Sequence, residues 1–255
     1  MNHIDNSNTL SNLHKLADAC LYDFRPPADK LRTHGFLGAG GDLTVSTLLH
    51  AYRSGAFPWF DEDEPICWWS LEIRCVITPN DFYPSKSLIR TAKKQPWTIT
   101  TNADFEAVIN ACRAPRRDTF QTWIHDNMVL AYRQLFKIGA AVSIEVWAGM
   151  PYDSELIGGL YGVSFGSIFC GESMFHRRND ASKIAFWALM HWANQYGIQL
   201  IDCQLENPHL RRLGANLMPR DEFLELLKHL VMTPCLGISG NLMQISCIDL
   251  VNSSK

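Results

Sequence analysis

AVSIEVWAGMPYDSELIGGLYGVSFGSIFCGESMF, residues 141–175, decides the fold. Val142, Ile144 and Val146 recur at a period of two, and Gly149 and Asp153 mark a turn after them. Two further apolar runs follow, residues 156–163 and 168–174, parted by Gly166-Ser167. Short apolar runs between turn formers read as strands, so this stretch predicts three strands joined by tight connections. Gly158-Gly159 inside the middle strand signals a bulge or the close approach of another backbone.

Working outward, a long helix is expected over residues 180–196, ending at Gly197, then an apolar strand over 198–203. Short helices are expected over 208–213 and 221–230, the latter opened by Pro219. On the other side, residues 85–94, 103–113 and 126–137 carry apolar residues at helical spacing. Still earlier, Gly38 to Asp42 opens a helix that Asp42 is placed to cap, with Leu48, Leu49 and Tyr52 on its apolar face and Gly55 as its stop. Residues 66–69 and 75–77 read as short strands. Residues 1–34 read as polar and irregular, with Arg25-Pro26-Pro27 barring a helix there. This order predicts an α/β (α+β) chain with a mixed sheet and a small N-terminal domain. The expected divisions are an extension (1–34), a small domain (35–75), a larger domain (76–232) and a tail (233–255).

The chain has 255 residues, 47% hydrophobic, 19% charged and 11% aromatic. That composition excludes a disordered chain. The net charge of −3 excludes a bulk electrostatic binder of nucleic acid. Charge is uneven, however. Lys86, Arg90, Lys93, Lys94, Arg113, Arg116, Arg117, Arg133 and Lys137 stand against five acids (Asp81, Asp104, Glu106, Asp118, Asp126) in residues 81–137. This basic middle is either a phosphate-binding face or a solvated helical face. None of the cysteines forms a C-x-x-C pair, and Cys112, Cys170 and Cys203 lie in apolar segments as reduced thiols do. No signal peptide and no membrane-length apolar run is visible, so a cytoplasmic location is expected and no membrane partner. No H-x-x-x-H or H-E-x-x-H pattern supports a metal, and no G-K-[ST] follows the glycine-rich loop.

Three segments have the composition of a site. In residues 169–175 strand alternation puts Phe169, Gly171, Ser173 and Phe175 on one face and Cys170, Glu172 and Met174 on the other. Glu172 is then paired, or lies in a cleft where it holds a cationic group, or sits on an exposed face. Asp202 and Gln204 end an apolar strand on one side, with Cys203 on the other. They face a ligand crevice and orient an amine, or they form a buried hydrogen-bonding pair. Cys203 and His209 could also be read as nucleophile and base. Phe57-Pro58-Trp59-Phe60 with Trp68-Trp69 suits a pocket wall, a base-stacking platform or core.

Together these stretches resemble the leucyl/phenylalanyl-tRNA–protein transferases of bacteria. The resemblance runs from about residue 35 to 230. It is carried by Gly40-Gly41-Asp42-Leu43, Phe57-Pro58-Trp59-Phe60, Trp68-Trp69-Ser70, Thr122-Trp123-Ile124, Ser143 to Trp147, Gly158-Gly159 and Phe169 to Phe175. Asp180-Ala181-Ser182-Lys183, Leu200 to Gln204 and Pro219-Arg220 continue it. The resemblance implies transfer of Leu, Phe or, less well, Met from aminoacyl-tRNA to a protein's N-terminal Arg or Lys, marking it for N-end rule degradation. It further implies a GNAT-like acyltransferase fold for the larger domain, no cofactor and a monomer. Trp59 and Trp123 would line the site of the 3′-terminal adenosine, with Tyr52 and Tyr132 nearby. Leu160, Phe169, Met174 and Ile201 would hold the transferred side chain, with His176 beside them where the family usually has Ser. Glu172, Asp202 and Gln204 would form the polar centre. Acceptor-stem phosphates would meet Lys86, Arg90, Lys93, Lys94, Arg113, Arg116 and Arg117.

The chemistry needs no covalent intermediate. An α-amine has a pKa of about 7.7–8.0, so part of it is already neutral at pH 7. Positioning supplies much of the barrier reduction. Asp202, aided by Gln204, takes or relays the proton, or only orients the amine. The rival readings are an acyl-CoA N-acyltransferase and an inactive RNA-binding adaptor. Against the first, the segment Arg177 to Lys183 lacks the glycines that hold pyrophosphate at a helix N-terminus.

Overall fold

The computed structural model describes residues 6–26, 34–114, 122–236 and 238–253. The N-terminal stretch that reads as irregular holds a helix, α1 (Asn6–Asp18). Leu10, Leu13 and Ala17 recur at helical spacing among its Ser and Asn residues, and Leu13 and Ala17 are buried. After β1 (Phe36–Ala39), α2 (Val45–Arg53) packs against α1. Its cap is Thr44, two residues beyond Asp42. The Asp42 carboxylate instead accepts from Thr44 N (2.9 Å) and Thr47 Oγ1 (2.7 Å). β2 (Phe57–Pro58) and β3 (Cys67–Trp69) complete a small antiparallel sheet of order β1-β3-β2.

β4 (Ile73–Ile77) leaves that sheet for the main one. Then come α3 (Lys86–Lys94), β5 (Thr98–Thr101), α4 (Phe105–Arg113) and α5 (Asp126–Lys137). The three expected strands are β6 (Ala141–Trp147), β7 (Leu156–Phe165) and β8 (Ile168–His176). α6 (Ala181–Tyr196) ends at Gly197 as expected, with φ +86°. β9 (Leu200–Gln204), α7 (Pro208–Arg212), β10 (Asn216–Pro219), α8 (Arg220–Leu230), β11 (Gln244–Ser246) and α9 (Cys247–Ser253) finish the chain. No helix among the described residues is long and apolar enough to cross a membrane.

The main sheet is mixed, with the order β10-β4-β9-β8-β7-β6-β5-β11. β8 and β9 are parallel, and the other pairs are antiparallel. One face carries a core from α2, α4, α5 and α8, and the other a core from α3, α6 and α9. Gly158 serves the second face. A Cβ there would lie 2.6 Å from Ala181 Cβ at the start of α6, so the glycine marks the close approach that the sequence signals.

Two departures from regular strands make the site. The register of β7 against β8 shifts between the pairs Gly162–Gly171 and Tyr161–Ser173, which leaves Glu172 as an extra residue. Alternation therefore breaks, and Cys170 and Met174 pack into opposite cores rather than sharing a face. In addition, β8 and β9 pair backbone to backbone only as far as Cys170–Asp202, although β8 continues to His176. Beyond that point the two strands are bridged by side chains.

Candidate active site

Glu172 sits where β8 and β9 stop pairing. Its Oε1 accepts from Tyr52 Oη (2.7 Å) and Gln204 Nε2 (3.0 Å), and its Oε2 accepts from Tyr132 Oη (2.6 Å). The two tyrosine oxygens are 2.5 Å apart. α2 supplies Tyr52, α5 supplies Tyr132 and β9 supplies Gln204, so three elements converge on one carboxylate. Burial pushes Glu172 up to about 7, against its hydrogen bonds from Tyr132, Tyr52 and Gln204, and the Asp202 charge adds to the rise. Both tyrosines are raised well above their usual value, by burial first and then by the Glu172 charge.

Asp202 has a different environment. It is fully buried, and Arg74, also buried, grips both of its oxygens (Nε–Oδ1 2.9 Å, Nη2–Oδ2 2.7 Å). The guanidinium lies between the rings of Phe57 (4.9 Å) and Phe223 (4.7 Å) and donates to Gly55 O (3.1 Å). Asp202 Oδ1 also accepts from the backbone N of Gln204 (2.9 Å). Gln204 has φ +60°, a left-handed conformation rare outside glycine, and that bond helps to hold it. The sequence left Asp202 and Gln204 either facing a crevice or bonded to each other when buried; the structure holds Asp202 buried on Arg74, and its bond to Gln204 goes to the backbone N. Sequence reasoning missed Arg74. The available signal was an arginine inside the apolar strand Ile73-Arg74-Cys75-Val76-Ile77, where a buried charge needs a counter-charge.

The residues expected around this centre divide into groups. Leu160 pairs with Met174 across β7 and β8, and Phe169 with Ile201 across β8 and β9. All four belong to the α6-side core, so the structure brings them together. Trp59 is exposed and leans on Trp69, with ring centroids 5.9 Å apart. Trp123 is half-buried against the opposite core. The Phe60–His125 ring contact (4.7 Å) joins the segments that carry Trp59 and Trp123. His176 is exposed at the end of β8.

The described basic residues do not form one face. Lys86, Arg90, Lys93 and Lys94 are carried by α3, on the α6 side of the sheet. Arg113 ends α4 on the opposite side and is ion-paired with Asp126. Arg116 and Arg117 lie outside the described residues. Cys203 faces the α6-side core, opposite Asp202 and Gln204. Its thiol hydrogen-bonds Cys75, and that bond together with burial pushes it well above the usual range, which suits neither a nucleophile nor a pairing with His209.

Comparison with known proteins is unambiguous about kinship. Residues 76–228 match the profile of a family described as leucyl/phenylalanyl-tRNA protein transferase, and residues 41–72 match that family's N-terminal domain. A leucyl/phenylalanyl-tRNA–protein transferase of Shewanella piezotolerans is 50% identical over 208 residues, 81% of this chain and 86% of its own. Those of Psychrobacter arcticus and Pseudoalteromonas atlantica are each 49% identical, covering 77% and 83% of this chain and 74% and 89% of their own. Among solved structures, one titled "The structure of L-PGS from Bacillus licheniformis" aligns at 10% identity with a TM-score of 0.36, over 62% of this chain and 50% of its own, too slight a likeness to argue from.

Proposed function

Because the chain belongs to the leucyl/phenylalanyl-tRNA protein transferase family, we infer that it is an aminoacyltransferase that moves an aminoacyl group from aminoacyl-tRNA to the N-terminus of a protein. The donor groups are Leu and Phe and, less well, Met, and the acceptors begin with Arg or Lys. The tagged protein goes to N-end rule degradation in the cytoplasm, and the enzyme works as a monomer.

The observation that carries this reading is the convergence of Tyr52, Tyr132 and Gln204 on the buried Glu172 carboxylate. An apolar group of Leu160, Phe169, Met174 and Ile201 lies on one side of the sheet. On the other side, Trp123 packs against the core, and the exposed Trp59, in the neighbouring segment, offers a ring for stacking on an adenosine. Glu172 and the Gln204 amide offer oxygen acceptors to an amine. An ester attacked by a neutral amine needs this set: two binding surfaces that place the reactants and a polar centre that handles one proton. The acyl-CoA reading is less well supported, because the Asp180 carboxylate, held by Lys183 and Thr91, stands where pyrophosphate would meet the start of α6.

The test is transfer of labelled leucine from Leu-tRNA to a peptide beginning with Arg, beside a titration with acetyl-CoA. Labelled peptide and no response to acetyl-CoA are expected. No transfer from Leu-tRNA or Phe-tRNA sinks the assignment.

A further inference from the structure

We propose that the Glu172–Tyr52–Tyr132 triangle carries the proton of the transfer step, and that the Arg74–Asp202 pair is a positioning device that holds Gln204 against it. The proposal rests on the aminoacyl-transfer reading above.

Three oxygen–oxygen contacts close the triangle: Tyr52 to Glu172 (2.7 Å), Tyr132 to Glu172 (2.6 Å) and Tyr52 to Tyr132 (2.5 Å). Each hydroxyl has one hydrogen to donate, so two tyrosines fill two contacts and the third needs a further proton. With a proton on Glu172 Oε2, the carboxyl donates to Tyr132, Tyr132 donates to Tyr52, and Tyr52 donates to Oε1. All three contacts are then filled. Uptake of one proton thus completes a ring that the ionised carboxylate leaves open. Burial favours the same form. Oε1 already accepts from Tyr52 and Gln204, whereas Oε2 accepts from Tyr132 alone among the described residues, so Oε2 is the oxygen that receives the proton.

Asp202 is unsuited to the task. A proton on it would leave the buried Arg74 guanidinium without its counter-charge, which is strongly unfavourable. Its contribution passes through Gln204, whose backbone N it holds. Arg74 fixes Asp202 and also reaches Gly55 O and the Phe57 ring, at the start of the run that bears Trp59. It is therefore a positioning residue that sets the polar centre against the aromatic wall. The groups that face Glu172 are Tyr52 from α2, Tyr132 from α5, Tyr161 from β7, Cys170 from β8, Asp202 and Gln204 from β9, and Arg74 from β4.

The step balances without a further reactant. The neutral α-amine attacks the ester carbon and a C–N bond forms. The nitrogen passes its proton to Glu172 Oε2. The C–O bond to the tRNA 3′-oxygen breaks, and Glu172 returns the proton to that oxygen. An amide and a free hydroxyl result, with Glu172 as it began.

The experiment measures single-turnover transfer from Leu-tRNA to an Arg-initiated peptide across pH, with difference infrared spectra of wild type against Glu172→Gln. The wild-type rate should rise through about pH 7, in step with loss of a neutral-carboxyl band. Glu172→Gln should lose the component of the rise near pH 7, keep only the rise near pH 8 as the peptide's α-amine becomes neutral, and fall roughly a hundred- to ten-thousandfold, the usual range for a positioned acid–base group. Arg74→Lys should lower the plateau, leave the KM for peptide nearly unchanged and keep the rise at its wild-type pH, whereas Asp202→Asn should lower the plateau and move the rise to lower pH, because a charge that raises Glu172 is gone. Loss of the component near pH 7 in Asp202→Asn without its appearance at lower pH, or its survival in Glu172→Gln, overturns the proposal, as does the absence of a neutral-carboxyl band below pH 7. A wild type inert toward every aminoacyl-tRNA overturns the functional reading instead, whatever the infrared band shows.

Discussion

Glu172 binds its proton more tightly in the folded chain than in the unfolded one, because burial outweighs the hydrogen bonds it accepts. Between about pH 4.5 and pH 7 the native state therefore holds the extra proton, and stability falls as pH rises through that window. A rise from 4.5 to about 7 corresponds to roughly 3 kcal/mol of stability gone by pH 8. Glu172→Gln abolishes this effect, so its denaturation midpoint should change less with pH than that of wild type, and at pH 8 it should be at least as stable. Parallel pH dependences of the two proteins in chemical denaturation would refute the raised proton affinity. On the proposed function, the transferred side chain is read by the apolar group of Leu160, Phe169, Met174 and Ile201, and such contact separates neighbours by only about 1–3 kcal/mol per methylene. Met174 is the half-buried member of that group, so it can be trimmed at less cost to the core than Phe169. Met174→Ala should raise the use of Phe-tRNA over Leu-tRNA several-fold, and an unchanged ratio would remove Met174 from the pocket. At this scale much of the site was legible. Glu172 and Gln204 stand out in the sequence and lie together in the structure, but that Tyr52 and Tyr132, expected near an adenosine, both donate to Glu172 is seen only in the fold. Arg74 escaped sequence reading, because its meaning depends on a partner 128 positions away.

α3 is held to the molecule by Leu88 and Ala92, while Lys86, Lys93 and Lys94 face outward and Arg90 stands among them. Replacing all four cations by Gln should leave the melting temperature nearly unchanged. It should weaken tRNA binding and flatten its salt dependence, by about 0.7–0.9 in log–log slope for each phosphate no longer neutralised. A mutant slope equal to wild type would take α3 out of the tRNA interface. The junction between β7 and α6 is less forgiving. A methyl on Gly158 meets Ala181 Cβ at 2.6 Å and Ala181 C at 2.9 Å, with no flexible side chain to yield. Gly158→Ala should cost roughly 1–3 kcal/mol, the usual range for overpacking, read from urea unfolding. A neutral effect would mean that α6 shifts freely on the sheet. The long helices and the three central strands are legible from periodicity. β5, β10 and β11 are not, because Thr98-Ile99-Thr100-Thr101, Asn216-Leu217-Met218-Pro219 and Gln244-Ile245-Ser246 become strands only by pairing with neighbours the sequence does not name.

At the scale of the molecule, the last residues are part of the main sheet's structure. β11 pairs with the edge of β5, and α9 packs on α3 and α6 with Cys247, Leu250 and Val251 buried. Truncation before Gln244 should remove roughly 3–6 kcal/mol of burial from Leu250 and Val251 alone and bare the edge of β5. Lower solubility and a clearly lower melting temperature are expected. A truncated chain that melts with wild type would show that the sheet does not rely on this segment.

The sequence by itself determined the order of the long helices and central strands, the mixed α/β class, the kinship with the transferases, and the residue types of the polar centre. Each of these rests on local periodicity or on a motif read in line. The tertiary structure alone decided the rest. A single extra residue at Glu172 broke the strand alternation and sent Cys170 and Met174 to opposite cores. The described basic residues of the middle, near one another along the chain, parted to the two faces of the sheet. Asp202, open from sequence to either role, was claimed by Arg74. In each case the outcome was set by pairing register and by which charge lies beside which. Those are energies between residues distant in the chain, so no local pattern carries them.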